Sequence, residues 1–228
     1  MELINIKNIY KSYGVNDSKV EALKGVSLKI NKGELVAIIG ASGSGKSTLL
    51  NIIGCIDKPS VGEYFLLGED INKSSERKLS KIRNTKIGFV LQYFGLVSSY
   101  TVYENIELPL IYSKAKNKKE KINNILEKLK ISDKKEKLPS ELSGGQNQRV
   151  AIGRALINDP EIILADEPTG ALDKKTSNQV MDLLKGLNEE GKTVIIVTHD
   201  DNVANRCDRI IKIEDGIIKG EKINEKKD

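Results

Sequence analysis

Apolar residues recur along this chain at two different periods, and the change between them marks its organisation. Leu3–Tyr10 and Ala22–Ile30 alternate apolar and polar positions, the pattern of strands with one buried and one solvated face. The polar stretch between them, with Gly14, Asn16 and Asp17, supplies a turn, so the two segments are expected to pair antiparallel. Leu35–Ile39 (LVAII) is instead apolar throughout and stops at Gly40, and Lys46–Ile53 behind it has helical spacing. Strand, glycine loop and helix open a parallel α/β unit. Ile162–Ala165 (IILA) and Thr193–Val197 (TVIIV) are two more unbroken apolar runs, with a helix-like stretch from Lys174 to Asn188 between them. Strands that are apolar on both faces are expected inside one parallel sheet covered by helices.

From about Tyr93 to Asp159 the pattern becomes helical, as at Ile122, Ile125, Leu126 and Leu129, and Thr101–Glu104 (TVYE) has capping-box spacing ahead of a helix. The expected architecture is therefore one α/β domain over residues 1–228. Its core, from 1–92 and 160–228, combines a mainly parallel sheet with an antiparallel β-subdomain, and residues 93–159 form an inserted helical subdomain. After Gly216 an alternating strand is expected, then a frayed charged tail.

Composition narrows the function classes. With 39% hydrophobic and 30% charged residues, disorder, collagen-like repeats and small disulfide scaffolds are excluded. The net charge of +5 is spread over mixed Lys and Glu. The densest basic run, Lys114–Lys121, has no aromatic residue interleaved for base stacking and reads as a solvated helix face, not a nucleic-acid or membrane patch. Cys55 and Cys207 fit no metal or CxxC spacing, which predicts two reduced, packed thiols in a cytoplasmic protein. No apolar run approaches the ~18 residues that span a bilayer, and the alternating N-terminus is not a signal peptide. A membrane role is expected to pass through a partner.

The chemistry begins at Gly40–Thr48, GASGSGKST, which fits G-x-x-x-x-G-K-[ST] after a buried strand and at the start of a helix. Gly40, Gly43 and Gly45, with Ser42, Ser44 and Thr48, let backbone N–H groups turn inward around phosphate oxygens. Lys46 is placed to reach the β- and γ-phosphates and Ser47 to ligate Mg²⁺. Chance alone yields this pattern in on the order of one chain in a hundred of this length. Phosphoryl transfer also needs a metal carboxylate and a group that orients water, and IILADE offers Asp166 and Glu167 at the end of a strand. His199, the chain's single histidine, follows the third buried strand at the same sheet edge, where an imidazole can hydrogen-bond a γ-phosphate; a lone histidine is more often structural, and position decides here. Gln92 ends the apolar segment GFVLQ and is within reach of Mg²⁺ or water.

A second phosphate-type signature follows in LSGGQ. Ser143, Gly144, Gly145 and Gln146 have the spacing of a capping box, but capping does not require two glycines, whereas close approach to an anion does. Lying in the helical segment, the signature is expected to serve the nucleotide of a second copy, so that two chains head to tail enclose two ATP.

In combination these motifs resemble the ATP-binding subunits of ABC transporters over almost the whole chain: the phosphate loop at Gly40–Thr48, Gln92, LSGGQ at Leu142–Gln146, ILADE ending at Glu167, ALD at Ala171–Asp173, and His199. The resemblance implies a P-loop NTPase fold, with Glu167 as general base, His199 as γ-phosphate switch, Gln92 as the link to a permease and Asp173 as a contact across the dimer. It further implies that Ser143 and Gly145 contact the opposing γ-phosphate and that Tyr13 stacks on adenine, with a packed surface tyrosine as the alternative. LLNIIGCIDKPSVGEY, IGFVLQYFGLV, TVYENIELPL and DEPTGALD are similar to the MacB/LolD-type subgroup, which implies a permease of the FtsX type, export or release of a drug, peptide or lipoprotein, and a place on the inner face of the membrane. Leu91 and Asn147 depart from that subgroup's usual Phe and Gln or Glu and leave the permease open. The alternatives are a regulatory ATP-dependent tether, and a soluble relative acting on nucleic acid or ribosomes. Against the last, the segment between the two signatures is too short for a coiled coil and the chain holds a single ATPase domain.

Overall fold

The computed structural model describes residues 1–14, 18–113 and 115–224. Asn16 and Asp17 of the expected turn, Lys114 of the basic run and the last four residues of the charged tail lie outside them. The first two strands, β1 (Glu2–Tyr13) and β2 (Val20–Asn31), pair antiparallel as their alternation predicts. Ile4, Ile6 and Ile9 break strict alternation, yet all three are buried. The register shifts between Ile6 and Ile9, where Asn8 has φ 49°, so a bulge restores Ile9 to the inner face.

Next come β3 (Leu35–Ile39) and α1 (Lys46–Ile53), both with the bounds their patterns predict. β4 (Val61–Leu66) and β5 (Glu69–Asp70) extend the antiparallel sheet to the order β2-β1-β4-β5. After α2 (Glu76–Thr85) and β6 (Ile87–Leu91), the elements up to residue 156 are helical: α3 (Val102–Ser113), α4 (Lys118–Lys128), two 3₁₀ turns and α5 (Gly144–Leu156). The expected capping box opens α3, with Glu104 N–H donating to Thr101 Oγ1 at 3.2 Å and Thr101 N–H to Glu104 Oε2 at 2.7 Å.

The chain then returns through β7 (Ile162–Asp166), α6 (Lys174–Glu189), β8 (Thr193–Thr198), α7 (Asp201–Ala204), β9 (Arg209–Glu214) and β10 (Ile217–Ile223). The second sheet has the order β10-β9-β3-β8-β7-β6, parallel except for the β9–β10 hairpin at its edge. This α/β architecture, with one mainly parallel and one antiparallel sheet, is the fold class the sequence predicts. Two of its parallel strands, β6 and β9, are additions to the three that the apolar runs announce.

The unbroken apolar runs have a direct explanation. Alternate residues of the parallel strands face opposite cores, and both cores are dry. Ala37, Ile163, Ala165 and Ile196 pack under α3, α5 and α6, whereas Val36, Ile38, Leu164 and Ile195 pack on α1 and the antiparallel sheet. Helix α1 is clamped between the two sheets, with Leu49, Ile52 and Ile53 fully buried. At ~25 cal/mol per Å² this burial is what holds the phosphate loop in place. Among the described residues no helix is long and apolar enough to cross a membrane.

Cys55 and Cys207 are free and buried, and burial pushes their thiols up to about 11 and about 12. Since the thiolate is the nucleophile, the native protein is expected to leave both unmodified by a thiol-reactive dye at pH 8, and the denatured protein to label at two positions. Rapid labelling of either in the native state would contradict this burial.

Candidate functional site

The phosphate loop is shaped by glycines that no other residue can replace without displacing backbone. A Cβ on Gly40 would lie 2.2 Å from the carbonyl oxygen of Ile213, and one on Gly45 2.6 Å from that of Ala22. Gly43 and Gly45 also take φ 78° and 102°, the left-handed region. Gly45 caps α1 without a side chain, so the first-turn N–H groups remain directed at the space in front of the helix. The loop is fastened from behind, where Gly216 N–H donates to Ser44 O at 3.0 Å. Lys46 folds back over it, donating to the carbonyls of Gly40 and Ala41 at 2.8 Å each.

In front of this loop is a cleft of ≈ 650 Å³ lined by Ser42, Gly43 and Gly45–Thr48, by Gln92, Asp166, Glu167 and His199, and by Val20–Ala22 of β2. The parallel register makes this convergence. β8 lies between β3 and β7, so the loop after β3, the Asp–Glu pair of β7 and the histidine after β8 open on one sheet edge. Asp166 is hydrogen-bonded with Ser47, and its carboxyl is held above the usual range, first by burial and then by the charge of Glu167.

Glu167 leaves the strand at φ 47° with its N–H on Val197 O at 2.9 Å. Both of its carboxylate oxygens are engaged, Oε1 with His199 Nδ1 at 2.6 Å and Oε2 with Thr198 Oγ1, which donates at 3.2 Å. Gln92 lies directly over Gly170, where an added Cβ would be 2.8 Å from Nε2. The residues after it are gripped by α5, since Arg154 donates to the carbonyls of Gly95 and Phe94 at 2.5 and 2.9 Å.

Tyr13 does not itself line the cleft but is joined to it at Thr48. Its hydroxyl donates to Asp57 Oδ2 at 2.8 Å and shares a hydrogen bond with Thr48, while Lys11 Nζ sits 4.9 Å from the ring centroid. One face of the ring therefore carries a cation. Asp57, which also holds Lys11 at 2.6 Å, has no signature in the sequence.

Ser143–Gln146 and Asp173 do not line the cleft. The predicted capping box is present, with Gln146 N–H on Ser143 Oγ at 3.3 Å and Ser143 N–H on Gln146 Oε1 at 2.9 Å. Asp173 caps α6, accepting from the N–H groups of Lys175 and Thr176 at 2.9 and 3.0 Å. These two caps meet each other: a Cβ on Gly145 would lie 2.4 Å from Thr176 Cγ2, and one on Gly144 3.2 Å from Leu172 Cδ2. Gly145 is thus required by close packing on α6 within the same chain, a reason that spacing alone does not reveal, whereas Gly144 is only tight against Leu172 ahead of that helix. Thr198 and the Val20–Ala22 wall are further site features that motif reading misses. The signal for Thr198 was a polar residue closing an otherwise apolar strand.

Comparison with known proteins places this geometry in context. Residues 23–170 match the family described as ABC transporter. The chain is 52% identical over 226 residues to the ABC transporter ATP-binding protein MJ0796 of Methanocaldococcus jannaschii, covering 96% of each. It is 46% identical over 218 residues to the macrolide export ATP-binding/permease protein MacB of Hyphomonas neptunium, covering 95% of this chain but 34% of that protein. A solved dimeric structure of MJ0796 in a post-hydrolysis state, bound to ADP and Pi, matches with a TM-score of 0.91 and 46% identity over the structural alignment, covering 98% of this chain and 99% of that one.

Proposed function

The chain belongs to the ABC transporter family and is an ATPase of it, and on that premise we propose that two copies close head to tail on two ATP and drive a separate permease of the FtsX/MacB type. The observation that carries the catalytic part is the single cleft in which Lys46, Asp166, Glu167 and His199 converge. The N–H groups of Ser42–Thr48 and the ammonium of Lys46 take the phosphates, whose oxygens replace the Gly40 and Ala41 carbonyls as its partners. Tyr13 offers adenine the ring face opposite Lys11.

Mg²⁺ fits the residues present. No group of three or more His, Cys, Asp or Glu suited to a metal occurs among the described residues, whereas Mg²⁺ on a nucleotide needs only one or two protein ligands besides phosphate and water. Ser47 and Gln92 would hold it directly, and the half-buried Asp166, whose carboxyl is raised first by burial and then by the charge of Glu167, would hold it through a water. When bound, the ion would neutralise phosphate charge.

Glu167 takes a proton from water as the water oxygen bonds to the γ-phosphorus and the bond to the bridging oxygen breaks, leaving ADP with that electron pair. With Nδ1 of His199 engaged by Glu167, Nε2 is the ring nitrogen left to face the γ-phosphate. Ser143 and Gly145, at the N-terminus of α5, complete the site from the second copy, with Asp173 beside them at the interface. The link from Gln92 through Phe94 and Gly95 to Arg154 connects the cleft with that helix and gives the nucleotide a lever on the permease. In MacB, ATP-binding and permease parts share one chain, of which this chain matches about a third; here the permease is proposed as a partner at the inner face of the membrane.

Two measurements test this reading. Phosphate release per chain from Mg-ATP is expected to rise with protein concentration and level off, because a lone chain lacks half of each site; a flat specific activity from nanomolar to micromolar concentrations would exclude the two-chain site. Affinity purification from membranes is expected to bring down a permease with few transmembrane helices and a large outer domain. Recovery of a many-helix channel-type permease instead would overturn the subgroup assignment.

A further inference from the structure

We propose that Thr198 is a positioning residue for hydrolysis, its buried hydroxyl setting the plane of the Glu167 carboxylate. The inference rests on the reading of Glu167 as general base.

Sheet register builds the contact. Asp166 is opposite Val197, so Glu167, one residue on and tied by its N–H to Val197 O, comes level with Thr198. Thr198 is fully buried, and water does not compete for its hydroxyl. That oxygen accepts from Asp200 N–H at 3.0 Å and donates to Glu167 Oε2 at 3.2 Å. An amide N–H can only donate, so the hydroxyl's single proton is left for the carboxylate, which when ionised can only accept. The direction of the bond is thereby fixed by the turn into α7.

The consequence concerns the terminal torsion of glutamate, which is broad when nothing restrains it. Bonded at one oxygen, the carboxylate can swing; bonded at both, its plane is set. The second bond is to His199, whose side chain is 70% exposed and can exchange this bond for water. Thr198, at 0% exposed, has no such freedom. It is the restraint that does not depend on the rotamer of an exposed side chain.

A purely structural role is the competing explanation, because the same hydroxyl caps the turn before α7 through Asp200. The two separate under Thr198→Val, which keeps the buried shape and removes the hydroxyl, and Thr198→Ser, which keeps the hydroxyl. Both are assayed for kcat, KM for Mg-ATP and melting temperature beside the parent and Glu167→Gln, with Thr198→Ala taking the place of the Val variant should that not fold. Val is expected to lower kcat on the order of tenfold with KM within about twofold, and Ser to recover kcat to within about threefold of the parent. Parental kcat in the Val variant would overturn the inference, as would equal losses in Val and Ser that follow melting temperature. Parental turnover by Glu167→Gln would instead remove the general-base reading and the inference with it.

Discussion

Glu167→Gln is expected to bind Mg-ATP with an affinity within about twofold of the parent, to hydrolyse it roughly 10²- to 10⁴-fold more slowly, and to accumulate as an ATP-bound dimer. The substitution keeps the shape and the acceptor oxygen but removes the basicity, so the phosphate loop and the closure it triggers are untouched. An amide can still accept from Thr198 or face His199 through its oxygen. Dimer opening, which follows hydrolysis, is then starved of its trigger. Light scattering with saturating ATP checks the assembly and phosphate release checks the chemistry. A variant that stays monomeric under those conditions would count against the sandwich even if turnover fell.

Ser143→Arg is expected to abolish hydrolysis without changing the nucleotide affinity of the isolated chain. Ser143 is exposed and lies outside the cleft, so a long cation there obstructs only a neighbour's phosphates. Loss of the cap onto Gln146 N–H costs about 1 kcal/mol, and the reciprocal bond from Ser143 N–H to Gln146 survives because it is made by backbone. A sharper form mixes this variant with Glu167→Gln. Each alone is inactive, but a mixed dimer has one intact site, built from Lys46 and Glu167 of the first chain and Ser143 of the second. Phosphate release on mixing is the expected result. Continued silence would mean that LSGGQ acts within its own chain.

How much of this was legible in one dimension depended on whether a residue's role is set by its neighbours in sequence. LVAII and the helix from Lys46 could be bounded because both faces of each are dry, and a continuous apolar run registers that directly. β6 was harder to read as a sheet strand, since Gly88 interrupts it; a Cβ there would lie 2.5 Å from Ala155 O, so α5 dictates the glycine. β9 carries Arg209, whose partners are Glu34, just before β3, and Glu221 of β10, at 3.0 and 2.6 Å. Helix α2 buries only Leu79 and begins on a Ser75 cap, leaving little apolar period to detect.

By itself the sequence determined the local chemistry: a phosphate loop behind a buried strand, a carboxylate pair and a histidine at strand ends, and a capped helix carrying SGGQ. These follow from contiguous residues, whose backbone preferences and caps act over one turn or one strand. The tertiary structure alone decided which of those ends meet. β8 inserts between β3 and β7 although it follows both in the chain, and that order brings Lys46, Asp166, Glu167 and His199 to one cleft while leaving Gly145, packed on α6, and the exposed Ser143 outside it. Strand order is settled by which apolar faces bury one another across the whole domain, and no stretch of the chain contains that information alone.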